Sequence, residues 1–544
     1  MKSSKNLYLI PVLVFLLVML QRAWFSPTAK DETKKTVAET TSKVGGLGKI
    51  KNFDQSKDIF VQTDKMTLRI SQDGGAITGA ALTDYAQALR DPAPFTLLSN
   101  NPTHLYLAQT GMSGDADLRF TATGKSFSMK DGDDSLEVPL VAKDDYGRTF
   151  TKTFKFYRNQ YHFEVASTVE NSSNSSWSGI HYSRLILRHD SEDNTTAKNI
   201  PVDIDAPKPG WFTFSTYTGP AYFSDSKPYV KLPFVEVEKK PLKKTVESSG
   251  WIAMQQRYFI CALIPQEQSQ HSVTATWHSG ASEQNSELHR NLFNFSTVSP
   301  TMVLAPGEKT TKTSVIYTGP EEAKRLAALA KGLELTVDYG WLWFISDLLF
   351  QALVFIHQYL GSWGWSIIMI TLIVKLVFYK LSEASYRAIA KQKKLQPKID
   401  AINETYKDEP EKKSKAMIEL YQKESINPIS GCLPTLLQMP FFIALYYVLI
   451  ESIQLRFQPF LWLPDLSSRD PLFILPALFC LSMVAMQKMS PTPQADKSQA
   501  TAMLMMPFAM SIMFAQMPAG LLLYWTTNNL LSLGQQWYVM QRYR

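Results

Sequence analysis

Cysteine is scarce: the 544 residues hold three, Cys261, Cys432 and Cys480. They stand far apart and without CxxC spacing, so neither a zinc site nor a disulfide framework is indicated, and ordinary buried thiols are expected. Catalytic signatures are missing too. His104, His162, His181, His189, His271, His278 and His289 are scattered, with no HExxH and no GxSxG among them. The GGLGK at positions 45–49 is not a phosphate loop, because the glycine required five residues before Gly48 is Lys43. No metal or cofactor is therefore expected, and for the first half of the chain a binding or scaffolding role outranks an enzymatic one. Acidic charge is lacking where it would matter most. No Asp or Glu lies inside an apolar run of the last third to neutralise Lys375, and Glu451 is near the far end of its own run.

What is there is strongly segregated, a polar first half and an apolar last third. The formal net charge of +7 lies partly in short segments beside apolar runs, where basic residues mark the cytoplasmic side of a membrane more than a nucleic-acid surface. Residues 1–25 begin with a basic stretch and continue into an apolar run, Leu7 to Leu20, followed by Gln21, Arg22, Ala23, Trp24 and Phe25. An interfacial belt of that kind, without a small-x-small cleavage site, indicates an uncleaved anchor with its N-terminus in the cytoplasm; a cleaved signal peptide is the alternative. Residues 26–57 are too polar to offset the entropy of ordering and form a linker.

From 58 to 319 the period is two. Met66, Leu68 and Ile70 alternate with Thr67 and Arg69; Phe154 and Phe156 flank Lys155; and Tyr161, Phe163 and Val165 follow a hairpin turn at Arg158, Asn159 and Gln160. Many such strands imply a large antiparallel β-sandwich, outside the cytoplasm if the anchor is N-in. Residues 320–363 supply a linker helix and then an apolar helix in which Asp347, Gln351 and Gln358 share a face, which suits a helix lying in the outer membrane interface. Spans are expected at Trp365–Leu381 (segment 364–382), Leu433–Ile453, Leu472–Gln487, about Ala502–Gln516, and Ala519–Gln536, the last four within segment 428–544. With the anchor this makes six transmembrane helices and cytoplasmic termini. The fold class is thus a multi-domain membrane protein, an all-β domain outside the cytoplasm joined to an α-helical membrane bundle.

Lys375 sits in the middle of ITLIVKLVFYKL, a charge in an apolar helix that costs about 3 kcal/mol at bilayer depth. Thr371, Lys375 and Ser382 fall on one helical face. Either Lys375 snorkels to headgroups about 10 Å away, or it lines a wet cavity, as intramembrane ionisable groups commonly do. Gln438 and the polar run of the last span, Tyr524, Trp525, Thr526, Thr527, Asn528, Asn529 and Ser532, could supply the other walls. Segment 383–427 is a charged helical hairpin, with stripes Leu395, Ile399, Ile402 and Met417, Leu420, Tyr421 around a break near Pro410; it is a solvated surface or a docking arm. Methionines gather in the last three spans, Met483 to Met517, as packing filler or as a surface for varied apolar guests.

NPISGCLPTLLQMPFFIALYYVL, with GWSIIMITLIVK before it and LPDLSSRDPLFILP, QKMSP and MPAGLLLYWTTNNLLSLGQQ after it, strongly resembles the YidC family of bacterial membrane protein insertases. The match runs from about Tyr339 to the C-terminus, and the anchor and β-rich domain follow the layout of Gram-negative members. The resemblance implies a sugar-mutarotase-like supersandwich without sugar chemistry. It also implies a five-helix core around a hydrophilic groove, open to cytoplasm and lipid and closed to the periplasm. The groove's basic residue maps to Lys375, where the family's usual residue is arginine. Its threonine maps to Thr371, its glutamine to Gln438 and its last-span tyrosine to Trp525, beside Tyr524; Asn529 falls at a matching asparagine. Lys380 stands where a proline is common, and the tail after Gln536 is short, which implies weak tail-mediated ribosome docking. Implied partners are nascent membrane proteins, the Sec translocon, translating ribosomes and membrane lipids. A secondary transporter with an intramembrane cationic site is the alternative, against which the chain shows no internal repeat; a tethered periplasmic enzyme is a third reading.

Overall fold

The computed structural model describes residues 58–101, 104–188, 217–246, 250–267, 269–278, 292–406, 409–424, 433–489 and 497–543. The expected anchor and linker, residues 1–57, lie outside them, as does Cys432. Of the other two thiols, Cys261 is buried and Cys480 half-buried.

The period-two segments form strands. β1 (Ile59–Gln62) and β2 (Met66–Ile70) pair antiparallel, and Met66, Leu68 and Ile70 are the buried side of β2. β3 (Ile77–Ala88) and β4 (Asp91–Asn101) make a long hairpin. β5 (Thr149–Tyr157) and β6 (His162–Glu170) pair through the expected turn, in which Asn159 takes φ 63°, a left-handed position asparagine tolerates. β7 (His181–Arg188) lies within a ten-stranded sheet, and β8 (Phe259–Pro265) and β9 (Lys309–Pro320) pair within a nine-stranded one. The alternating apolar faces of both sheets contribute to one core, with Phe95 stacked on Phe259 at 4.0 Å between ring centres.

One charge buried in that domain is well supplied with partners. Lys152, 1 % exposed, donates to the Gly74 and Thr110 carbonyls at 2.7 and 2.8 Å and pairs with Asp115 at 3.1 Å. Asp115 also accepts from the Tyr182 hydroxyl and the Met112 amide. Burial pulls the Lys152 ammonium below its ordinary range, and Asp115 pulls it back.

The rest of the chain is helical. α1 (Trp343–Leu360) packs its Ser346, Leu349 and Leu353 inward; α2 (Trp363–Val377) is followed by α3 (Tyr379–Lys394). α4 (Gln396–Thr405) and α5 (Pro410–Lys423) form the expected hairpin, where Leu395 and Ile399 are buried and Lys398 meets Glu424 at 2.7 Å. α6 (Leu433–Glu451), α7 (Ile474–Met489), α8 (Lys497–Phe514) and α9 (Ala519–Arg542) complete the bundle.

Two expectations change. The Trp365–Leu381 span is not one straight helix: α2 stops at Val377, and α3 leaves at 69°. No Gly or Pro marks the break; Gln535 of α9 donates to the Tyr379 carbonyl at 3.1 Å, a tertiary contact that satisfies backbone at the bend. The count of six spans is not met on length and composition. Among the described residues one helix, Gly340–Leu360, is long and apolar enough to cross a membrane, or two if the bent pair is one span. Gln438–Glu451, Ile474–Met489 and Leu504–Phe514 are shorter apolar helices. The bend shortens α2, and polar side chains on inward faces dilute α9.

Candidate functional site

α9 is the hub, packed against α2, α3, α6 and α7. It runs from an end closed by the 452–473 connection to the end where α2 bends into α3. At the closed end the Ala519 and Gly520 amides, which an α-helix leaves without partners in its first turn, donate to the Ser468 and Leu466 carbonyls at 2.6 and 2.8 Å. The connection holds its own shape through two buried carboxylates. Asp465 accepts from the Phe457 and Ser467 amides, and Asp470 from the Leu472 and Leu475 amides. Phe460 seals it against Gly364 of α2.

At the bend end lies Lys375, 8 % exposed. Its ammonium donates to the Ser532 hydroxyl of α9 at 2.7 Å, and that hydroxyl donates to the Asn528 carbonyl at 2.7 Å. Among the described residues no carboxylate comes within ion-pair distance of Lys375, so its hydrogen-bond partner there is neutral. Thr371, one turn away on α2, is buried and back-bonds to the Ile367 carbonyl at 2.6 Å. Ser382 stays buried past the bend.

The face of α9 that carries Ser532 also carries Asn529 and, seven residues or about 10 Å away, Trp525. Asn529 donates to Ser482 of α7 at 3.3 Å. Trp525 is half-buried and stacks on Phe514 of α8 at 4.0 Å, so it stands apart from the lysine on the α7–α8 side. Tyr524 is buried edge-on to Phe442 of α6 at 5.6 Å. Gln438, one turn from Phe442 toward the bend end, is buried with its amide nitrogen lacking a protein partner among the described residues. The Thr526 hydroxyl is buried in the same condition. A buried polar group without a partner costs about 1–3 kcal/mol, and these two lie in the same bundle as the Lys375 ammonium.

The structure thus places Lys375 and Thr371 on α2 against α9, which itself carries Asn529 and Tyr524, puts Gln438 on α6, and leaves Trp525 in an aromatic cluster. Sequence reading missed Ser482 and Gln535 as partners. It grouped Ser532 with the polar run without pairing it to Lys375, for no local pattern carries a contact 157 residues apart.

Two family models match: the 60Kd inner membrane protein over residues 355–544 and the YidC periplasmic domain over residues 58–352. A membrane protein insertase YidC of Coxiella burnetii is 38% identical over 512 residues, covering 93% of this chain and 87% of its own. One of Pseudomonas putida is 39% identical over 498 residues, with 90% and 84% covered. A crystal structure of an active YidC insertase aligns over 98% of this chain and 100% of its own at 18% identity, TM-score 0.38. These relatives are named as insertases, and the transporter alternative finds no support among them. The chain therefore belongs to the YidC family of membrane protein insertases, inner-membrane proteins with a periplasmic domain.

Proposed function

We propose that the α2, α6, α7 and α9 faces around Lys375 form a hydrophilic groove through which the protein inserts and helps to fold inner-membrane proteins, alone or with the Sec translocon. The observation that carries this is an ammonium held 8 % exposed by a neutral hydroxyl. An ion at that depth without a carboxylate partner keeps its attraction for a visiting anion. A client's short polar segment enters at the bend end, and its acidic groups meet Lys375, with Gln438 and Thr526 offering further donors. The closed 452–473 end leaves the segment a shortened dry path. The client's apolar helix then moves out along the lipid side, driven by about 25 cal/mol for each Å² of apolar surface leaving water. No bond is made or broken, and the catalysis is the lowering of a transfer barrier.

In this reading the chain crosses six times with both termini cytoplasmic, and Gly340–Leu360 lies in the outer interface. The exposed Trp343, Phe344, Phe355 and Tyr359 of α1 suit that zone, and so does the exposed Gln351–Asp347 hydrogen bond of 2.7 Å. The α4–α5 hairpin offers its charged faces to translating ribosomes. The exposed Met505 and Met506 of α8 give a soft surface for varied apolar guests.

The test is reconstitution in liposomes with a small client whose translocated tail is acidic. Lys375→Arg should keep insertion within about threefold, Lys375→Ala should lose about tenfold, one charge contact being worth roughly 1.4 kcal/mol or more, and Lys375→Glu should fail. Equal insertion by all four proteins would remove the groove reading.

A further inference from the structure

Ser532 is a positioning residue for the insertion site: we infer that its hydroxyl fixes the Lys375 ammonium in one pose while leaving its charge and two of its three N–H donors free for a client's carboxylate. The inference rests on the groove reading above and deepens it.

A lysine side chain is a flexible four-carbon stem with a compact charge at its tip, and nothing in its own chemistry fixes where that tip points. Here one atom does so. Ser532 Oγ accepts from Lys375 Nζ at 2.7 Å, and its own proton is committed to the Asn528 carbonyl at 2.7 Å, so the hydroxyl can act toward the lysine only as an acceptor. A second tie steadies the geometry. Lys375 lies three residues before the break at Phe378, and Gln535, one turn beyond Ser532 on α9, holds the Tyr379 carbonyl at 3.1 Å on the far side of it. Arg387 of α3 lies over the Tyr543 ring next to the end of α9 at 4.5 Å. The last three turns of α9 therefore clamp both arms of the bend, and the register that sets Gln535 on Tyr379 also sets Ser532 under Lys375. Tyr386 of α3 lies beside the same hydroxyl.

The choice of a hydroxyl has a physical consequence. A carboxylate at position 532 would orient the lysine equally well but cancel its charge, and an alanine would leave the charge but release the stem. Serine is the arrangement that orients without neutralising. The chemistry recognised is a carboxylate-bearing polar segment, and the distance from Ser532 to the closed end, about 18 Å along α9, leaves room for several extended residues of it.

The experiment compares wild type, Ser532→Ala, Ser532→Thr and Ser532→Asp in liposomes, each with an acidic-tailed client and with the same client carrying Asn and Gln in the tail. The readout is the ratio of acidic to neutral insertion, together with the unfolding temperature of each protein. Ser532→Ala should lower the ratio about three- to tenfold at unchanged unfolding temperature, Ser532→Thr should restore at least half of it, and Ser532→Asp should bring it to the Lys375→Ala level. In the Lys375→Ala background Ser532→Ala should change nothing further. If Lys375→Ala lowers the ratio and Ser532→Ala does not, the positioning role is overturned while the groove reading survives. If Ser532→Ala and Ser532→Thr lose both clients equally and unfold early, Ser532 is structural and the inference fails. Failure of wild type to insert either client would remove the groove reading and this inference with it.

Discussion

Glu267, just past β8 in the periplasmic domain, shows what single residues contribute to the scaffold. One of its oxygens lies 3.3 Å from His181 Nδ1 and the other accepts from Lys312 at 2.8 Å. Burial pushes its carboxyl up, but the nearby His181 ring and the Lys312 ammonium outweigh burial and hold it at about 2. In the unfolded chain it titrates near 4.3. Between those values the unfolded state binds more protons, so this stabilisation is complete above about pH 5 and is lost as pH falls through about 2. Its size is about 1–3 kcal/mol after allowance for partial solvent screening. Glu267→Gln should lower the stability of the protein by that amount at pH 7 and by almost nothing near pH 2. Urea unfolding followed by tryptophan fluorescence across this range measures both ends, and an equal loss at both would contradict the assignment.

Elements pack as closely as their smallest residues allow, and α2 meets the 452–473 connection at a glycine. A Cβ at Gly364 would fall within the ring of Phe460, which is pinned by mutual backbone hydrogen bonds with Leu463 and by an edge contact to Trp365 at 5.4 Å. Gly364→Ala gains up to about 1 kcal/mol of helix propensity but must displace a fixed aromatic ring, at about 1–3 kcal/mol of overpacking. Overpacking wins, so the variant should unfold earlier, and labelling of a cysteine placed at exposed Leu461 should quicken as the connection loosens. An unchanged unfolding temperature would mean that the ring yields freely.

The same scale shows where sequence reading succeeds. Period-two patterning carried β2, β5 and β6 and their turn, because in a half-buried strand the alternation is the burial. The Lys375 position was legible for a different reason, since a charge in an apolar helix stands out in the sequence, and the structure buries it at 8 % exposure. The bend at Phe378 was invisible because no Gly or Pro marks it, and the contact that satisfies backbone there comes from α9, far away in sequence. For the same reason Ser482, Gln535 and the Lys375–Ser532 pair had to wait for coordinates: each joins residues from distant helices. Trp525 was read with the polar run of the last span as a possible wall of the site, and also as the place of the family's last-span tyrosine; the structure stacks it on Phe514, a contact that sequence alone did not show.

For the whole molecule the decisive question is how the β-domain and the bundle are joined, and Arg456 answers much of it. From the connection after α6 its guanidinium donates to the Ala86 and Gln87 carbonyls of the β3–β4 hairpin at 2.8 and 3.1 Å. It also lies within 5.6 Å of the Phe95, Phe259 and Phe457 rings. Ile453 beside it belongs to the core of the β-domain, although it follows directly on a bundle helix. Arg456→Ala leaves two carbonyls short of a charged donor and removes the cation from among three rings, a loss of about 2–4 kcal/mol concentrated at the junction. Hydrogen exchange should therefore quicken about tenfold or more at β3–β4 and the 452–473 connection, while amides deep in β6 keep their protection. Insertion of the acidic-tailed client should stay within about twofold, because Lys375 and Ser532 are anchored by the α2–α9 contact at the other end of α9. A collapse of insertion alongside local loosening at the junction would instead make the β-domain part of the inserting machine, transmitting its position through the closed end of the bundle to the lysine.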